Sequence, residues 1–325
     1  MKIVSTANLL EAARKASQGK RLKRDVAEFL FSLEDEIFNI QDELGTGSYQ
    51  PKPYKIFYIY EPKPRRICCS DIRDRVVHHA ICNVVGGVFD RRLIADTYAC
   101  RVDKGTHRAI KKVQVFSRKY PCYLKCDISK FFDSIDHTKL KDLLARLFKD
   151  RKLLELLDII IGHNVPGNGD GKGLPIGNLT SQHFANLYLG ELDLFVKNVL
   201  RVKGYVRYMD DFILFGPAKN QLRQFEERIS KFLWENLRLN MNERVKVVAP
   251  VSQGISFLGF RVFPATIRIK RQNLIRLRKK MQVASQLQKY GVISENEHAN
   301  SVRSMLAHIA SADTYNLRLR EFCFE

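Results

Sequence analysis

Between Tyr205 and Gly216 the chain reads YVRYMDDFILFG, and two adjacent carboxylates, Asp210 and Asp211, interrupt a run that is otherwise aromatic and aliphatic. Residues of that kind favour strands, whereas ionised side chains resist leaving water and repel each other at close range. The run therefore predicts a tight hairpin that carries the acidic pair at its turn. Asp is also common at solvated hairpin tips, so the pair alone leaves two readings open. A bound divalent cation cancels the cost of gathering carboxylates, and that is the arrangement two-metal phosphoryl transfer uses.

A second acidic position changes the balance. Lys125–Asp133 reads KCDISKFFD, and Asp127 lies at the end of an apolar, strand-prone segment, 121–128, where an unpaired carboxylate is penalised. Asp127, Asp210 and Asp211 would converge from two neighbouring strands. With a backbone carbonyl, that of Ile128, and the oxygens of a triphosphate, they suit two octahedral Mg²⁺ shells, Mn²⁺ being a substitute. Asp133 and Asp136, by contrast, are expected to cap the following helix.

The charge balance names the class of partner. With 55 Lys and Arg against 35 Asp and Glu, the chain carries a formal +20 over 325 residues. Such an excess points to a polyanion, nucleic acid first. A membrane is not expected, because no apolar run approaches the roughly 18 residues that a span needs. The N-terminus lacks the uninterrupted apolar core of a signal peptide, so a cytoplasmic location is the expectation. Seven cysteines, an odd number with no C-x-x-C spacing, argue against a disulfide framework and a structural zinc site.

Apolar periodicity predicts helices through 7–44, with Thr6 or Asn8 as N-cap, and then a hairpin with strands at 54–60 and 65–69 and Lys63, Arg65 and Arg66 near its tip. Further helices are expected at 74–89, 106–119, 180–200 and 220–238, with two leucine-rich ones filling 138–161, and strands near 244–249 and 255–263. Two basic helices should follow at 271–290 and 295–322. The glycine-rich stretch 162–177 reads as a long loop, a kind that tends to be functional or mobile. Seven Lys and Arg between Ile267 and Lys280 suit a helix that tracks duplex phosphates, with binding that falls steeply with salt. The composition shift after Pro264 is the expected domain cut.

In order along the chain, EPKPRRI (Glu61–Ile67), DRVVHHA (Asp74–Ala80), TYACRVDKGTH (Thr97–His107), the Asp127 block, Gly173–Leu189, YMDD and FLGF (Phe257–Phe260) resemble the successive blocks of a reverse transcriptase. The resemblance implies an α+β fold of the right-hand polymerase type, with fingers, a palm built on an antiparallel sheet, and a helical thumb. It divides the chain into a helical N-terminal extension (1–50), interleaved fingers and palm (51–263) and a basic thumb (264–325). Most of that family carry Gln-Gly-x-x-x-Ser-Pro where this chain has Ile176-Gly177-Asn178-Leu179-Thr180-Ser181-Gln182, a form that resembles diversity-generating retroelement enzymes. Such enzymes copy a template RNA into cDNA with errors opposite adenine. Partners implied are the template RNA, the cDNA/RNA duplex, dNTPs and a small, basic, oligomeric accessory protein, in a bacterial or phage setting. Retron, CRISPR-associated, group II intron and phage-defence reverse transcriptases are the rival readings, and a non-catalytic RNA-binding scaffold is a rival of another class.

Roles follow residue by residue. Arg65 is placed to grip the triphosphate by charge-assisted bonds. Phe132, five residues after Asp127, matches the family's steric gate against a 2′-hydroxyl. Ile176 offers no polar contact to the nascent base pair where relatives place glutamine. Gly177 allows close approach of the nucleotide, and Gln182 is a template-backbone contact. Lys246, with Arg244 as runner-up, is the candidate to protonate pyrophosphate. Phe257, Leu258 and Gly259 resemble the primer grip.

Overall fold

A computed structural model describes residues 2–60, 64–163, 169 and 171–322. Lys63 at the predicted hairpin tip, residues 164–168 and 170 of the glycine-rich stretch, and Cys323 lie outside the described residues.

Three helices open the chain, α1 (Thr6–Ser17), α2 (Arg24–Phe31) and α3 (Leu33–Thr46). The N-cap of α1 is Ser5 rather than Thr6 or Asn8: its hydroxyl accepts from the Asn8 amide, whereas Thr6 already lies inside the first turn. The hairpin β1 (Lys55–Tyr60) and β2 (Pro64–Cys69) follows, then α4 (Ile72–Arg92), α5 (Thr106–Lys119) and β3 (Cys122–Cys126). Next come the single turn α6 (Phe131–Ser134), α7 (His137–Leu147), α8 (Arg151–Gly162) and α9 (Leu179–Leu194). Asp136 caps α7 as expected. Asp133 instead lies inside α6, with its carboxylate 3.9 Å from Arg66.

The acidic run forms the hairpin β4 (Gly204–Tyr208) and β5 (Asp211–Gly216), followed by α10 (Lys219–Leu237) and β6 (Val247–Pro250). A smaller antiparallel sheet, β7 (Ile255–Phe257), β8 (Phe260–Val262) and β9 (Ile267–Ile269), continues past the expected cut at 264. Then come α11 (Arg271–Lys289), α12 (Glu295–Ile309) and α13 (Tyr315–Phe322). The last two divide the single helix expected at 295–322, because Asp313 is drawn onto β9. Its amide donates to the Ile267 carbonyl (2.9 Å), and its carboxylate accepts from the Ile267 amide (2.7 Å).

The central sheet is antiparallel in the order β4–β5–β3–β6. Strand alternation sorts its two faces. Leu124, Cys126, Tyr205, Phe212 and Leu214 join the larger core with α9 and α10, and Leu9, Ala12, Ile37 and Ile40 of the N-terminal helices belong to the same core. Tyr123, Val206, Ile213, Phe215 and Ala249 pack with α5 and the small sheet in a second core.

One side chain breaks that apolar pattern. Arg207, on the α9 side of β4, is 0% exposed and paired with Asp193 of α9, also 0% exposed, at 2.6 Å. A guanidinium offers five N–H donors, and here five bonds are made: two to the Asp193 carboxylate, two to Asn186, and one to the Met209 carbonyl. Tyr205 and Thr97 hydroxyls donate to the remaining lone pairs of Asp193 at 2.8 and 2.7 Å. Burying two charges is tolerable only because both are fully hydrogen-bonded. Arg207→Met leaves the Asp193 charge buried alone, so urea unfolding should show a loss of about 3–5 kcal/mol, whereas Arg207→Met combined with Asp193→Leu should recover a large part of it.

Candidate active site

The sheet register assembles the three predicted carboxylates. Cys126 pairs with Phe212 in the antiparallel β3–β5 ladder, so Asp127, one residue on, stands level with Asp211. Tyr208 pairs with Asp211, which leaves Met209 and Asp210 as a two-residue turn. Met209 sits at φ +56, a conformation that such turns usually give to Gly, Asn or Asp. The Arg207 guanidinium holds it there by donating to its carbonyl at 3.2 Å.

Asp127 is held from the other side by Asn242, a residue with no local signal in the sequence. The Asn242 amide donates to the Asp127 carbonyl (2.8 Å), and its side-chain nitrogen donates to the Asp127 carboxylate (3.1 Å). The Ile128–Met241 bridge beside it uses the Asp127 carbonyl and the Ser129 amide and leaves the Ile128 carbonyl out of that pairing.

Burial, and then the Asp127 charge, push the Asp210 carboxyl up to about 6. Burial pushes Asp211 up to about 7, against the pull of the Lys125 ammonium 3.1 Å away. Asp211 Oδ1 is buried with no hydrogen-bond partner among the described residues. An orphaned carboxylate oxygen beside two further carboxylates is a donor set that fits a hard divalent cation. In this conformation, among the described residues, no three His, Cys, Asp or Glu side chains form a group that would hold one.

The remaining predicted residues divide. Arg65 is exposed on β2, near enough for its charge to act on Asp210. Phe132 is half-buried, its ring 5.5 Å from that of Phe131 and edge-on to it. Ile176 and Gly177 precede α9, and Gln182 lies half-buried near its start.

Gly177 itself lies close against β2: at φ +133, an added Cβ would meet the Cys68 carbonyl at 2.5 Å, and the Cys68 amide donates to the Ile176 carbonyl at 2.9 Å. Two expectations need correction. Lys246 does not face the carboxylates. It precedes Val247, which pairs with Lys125, so alternation sends it to the α10 side of the sheet, where it is tied to Glu226 (2.7 Å) and Glu243 (2.5 Å). Arg244 is exposed on the loop beside it. Phe257 is fully buried in the second core, which leaves Leu258 and Gly259 as the turn between β7 and β8. Both turn residues have positive φ, and Lys270 and Asn273 of the α11 start donate to the Gly259 carbonyl at 3.1 Å each.

Residues 51–262 match the family model described as reverse transcriptase (RNA-dependent DNA polymerase). The chain belongs to the reverse transcriptase family. Among curated relatives, protein YkfC of Escherichia coli is 25% identical over 270 residues, covering 70% of this chain and 71% of that protein. The group II intron-encoded protein LtrA of Lactococcus lactis is 22% identical over 312 residues, covering 75% of this chain. This reverse transcriptase spans about half of LtrA's length (51%). Apo telomerase from Candida tropicalis has the same fold, with a TM-score of 0.55 at 12% identity over 90% of this chain and 64% of that one. The fold is thus the right-hand polymerase fold, on which β3–β6 are the palm sheet, and the family's polymerases work with divalent metal ions. Among the described residues, no helix is long and apolar enough to cross a membrane.

The raised carboxyls set a pH dependence in the metal-free protein. An acid whose folded pKa exceeds its unfolded value destabilises the fold as pH rises between the two, here from about 3.8 to about 7 for Asp211. Asp211→Asn should therefore raise the Tm measured in EDTA above pH 7, and this advantage should vanish below about pH 4.

Proposed function

We propose that this reverse transcriptase copies a template RNA into adenine-mutagenic cDNA, as diversity-generating retroelement enzymes do. The observation that carries the polymerase reading is the convergence of Asp127, Asp210 and Asp211 at one end of the palm sheet, around an unpartnered carboxylate oxygen. Two divalent cations bound there supply activation of the primer 3′-hydroxyl and charge neutralisation of the leaving pyrophosphate. The protein's own part is positioning. Arg207 and Asn242 fix the carboxylates, Arg65 grips the triphosphate, and Phe132 leaves no room for a 2′-hydroxyl. Leu258 and Gly259 support the primer end, while Gln182 meets the template backbone.

The mutagenic subtype rests on Ile176. An aliphatic side chain beside the nascent base pair makes no polar check of its geometry, which lowers the cost of mispairing. In this reading residues 1–50 are a helical extension, 51–263 the fingers and palm, and 264–325 the thumb. A basic, oligomeric accessory protein and a structured template RNA are its partners. Similarity to a group II intron-encoded protein favours a second reading, an intron-type enzyme without adenine bias.

Two experiments test these claims. Mg²⁺-dependent dNTP incorporation on an RNA template should be abolished in Asp210→Ala/Asp211→Ala, and equal incorporation by that variant would sink the polymerase reading. In sequenced cDNA, Ile176→Gln should reduce errors opposite template adenine several-fold. An adenine error rate that is low in the wild type, or unmoved by the substitution, leaves the intron-type reading standing.

A further inference from the structure

The cation nearest to Asp211 belongs to the protein itself. Lys125 Nζ lies 3.1 Å from Asp211 Oδ2, with the two side chains only 12% and 19% exposed. Lys125 lies on β3 and Asp127 one residue beyond its end, so alternation continued past Cys126 sends both side chains to the same face, where the carboxylates gather. The other Asp211 oxygen is the one left buried and unpartnered among the described residues. Lys270, at the start of α11, is close enough for its charge to be felt by the same pair, so a second ammonium borders the site.

We propose that Lys125 is a built-in competitor for the metal site: its ammonium compensates the Asp211 carboxylate and weakens the binding of a divalent ion there until the ammonium is drawn away. The inference rests on the metal-site reading above. Its physical basis is charge, since the ammonium on Asp211 Oδ2 already compensates the carboxylate and weakens the field that a divalent ion would meet at the unpartnered Oδ1. With all groups ionised, three carboxylates against two ammoniums leave one net negative charge for two divalent ions. The missing charge arrives with the phosphates of nucleotide and nucleic acid, which also give the displaced ammonium new partners. Lys125 thereby ties metal loading to substrate binding.

The test is Mn²⁺ binding to the full chain, followed by electron paramagnetic resonance without nucleotide or nucleic acid, at about pH 8.5, where carboxyl groups are ionised. Lys125→Met should bind Mn²⁺ about tenfold more tightly than the wild type, a difference of about 1.4 kcal/mol. Lys125→Arg, which keeps the charge, should stay close to the wild type, and circular dichroism checks that each variant is folded. If Lys125→Met does not fold, Lys125→Gln carries the same expectation. Asp211→Asn separates the two layers of the argument. If it loses Mn²⁺ while the Lys125 variants bind no more tightly than the wild type, the competitor role is overturned and the metal site stands. If Asp211→Asn binds Mn²⁺ as the wild type does, the metal-site reading falls, and this inference falls with it.

Discussion

The Arg207–Asp193 pair is the interaction on which the rest of the molecule depends. It joins the palm sheet to α9, satisfies every polar group it buries, and reaches the Met209 carbonyl at the turn carrying Asp210. A non-glycine residue at positive φ is a strained choice for a hairpin turn, and strain of that kind persists only where the surroundings over-determine it. Five guanidinium bonds in a dry interior do so here. Thr97 and Tyr98 are drawn in as well, because the Tyr98 amide donates to the Arg207 carbonyl and the Thr97 hydroxyl to Asp193. The loop after α4, helix α9 and the acidic hairpin are therefore one mechanical unit.

Around that unit the charges are arranged to be unstable alone. Burial, with repulsion from the Asp127 charge added to it, raises both carboxyls, Asp210 to about 6 and Asp211 to about 7. Lys125 offsets part of the cost, and Lys270 approaches from the start of α11. The same Lys270 gives its backbone amide to the Gly259 carbonyl, which ties the Leu258–Gly259 turn to the base of α11. On the fingers side, the Ile176 carbonyl accepts from the β2 backbone, and Gly177 is what lets the two chains come so close. Residue 176 is thus placed by main-chain contacts.

Much of the fold was legible because most elements follow local rules. The helices at 106–119 and 220–238 and both hairpins fall within a residue or two of where periodicity and turn chemistry put them. Errors came where a distant partner decided. A helix expected to run through 295–322 breaks because Asp313 bonds to Ile267, and nothing near Asp313 in the sequence says so. Lys246 is separated from the carboxylates by strand parity alone: one residue of register puts it on the α10 face beside Glu226. Phe257 carries an aromatic that the motif marks as functional and the second core consumes. Asn242 and Lys125 were invisible as site residues, because an asparagine in a loop and a lysine in a strand become informative only once Asp127 and Asp211 lie beside them.

By itself the sequence determined the chemistry: carboxylates placed in strand-prone runs, at a cost that only a cation repays, on a chain charged to hold a polyanion. It also determined the family, because ordered blocks of local sequence survive without knowledge of contacts. Tertiary structure decided which groups share the site. Pairing in a sheet is non-local, and a shift of one residue moves a side chain to the opposite face. Register therefore brings Lys125 to Asp211 and takes Lys246 away, although the two lysines look alike in the sequence.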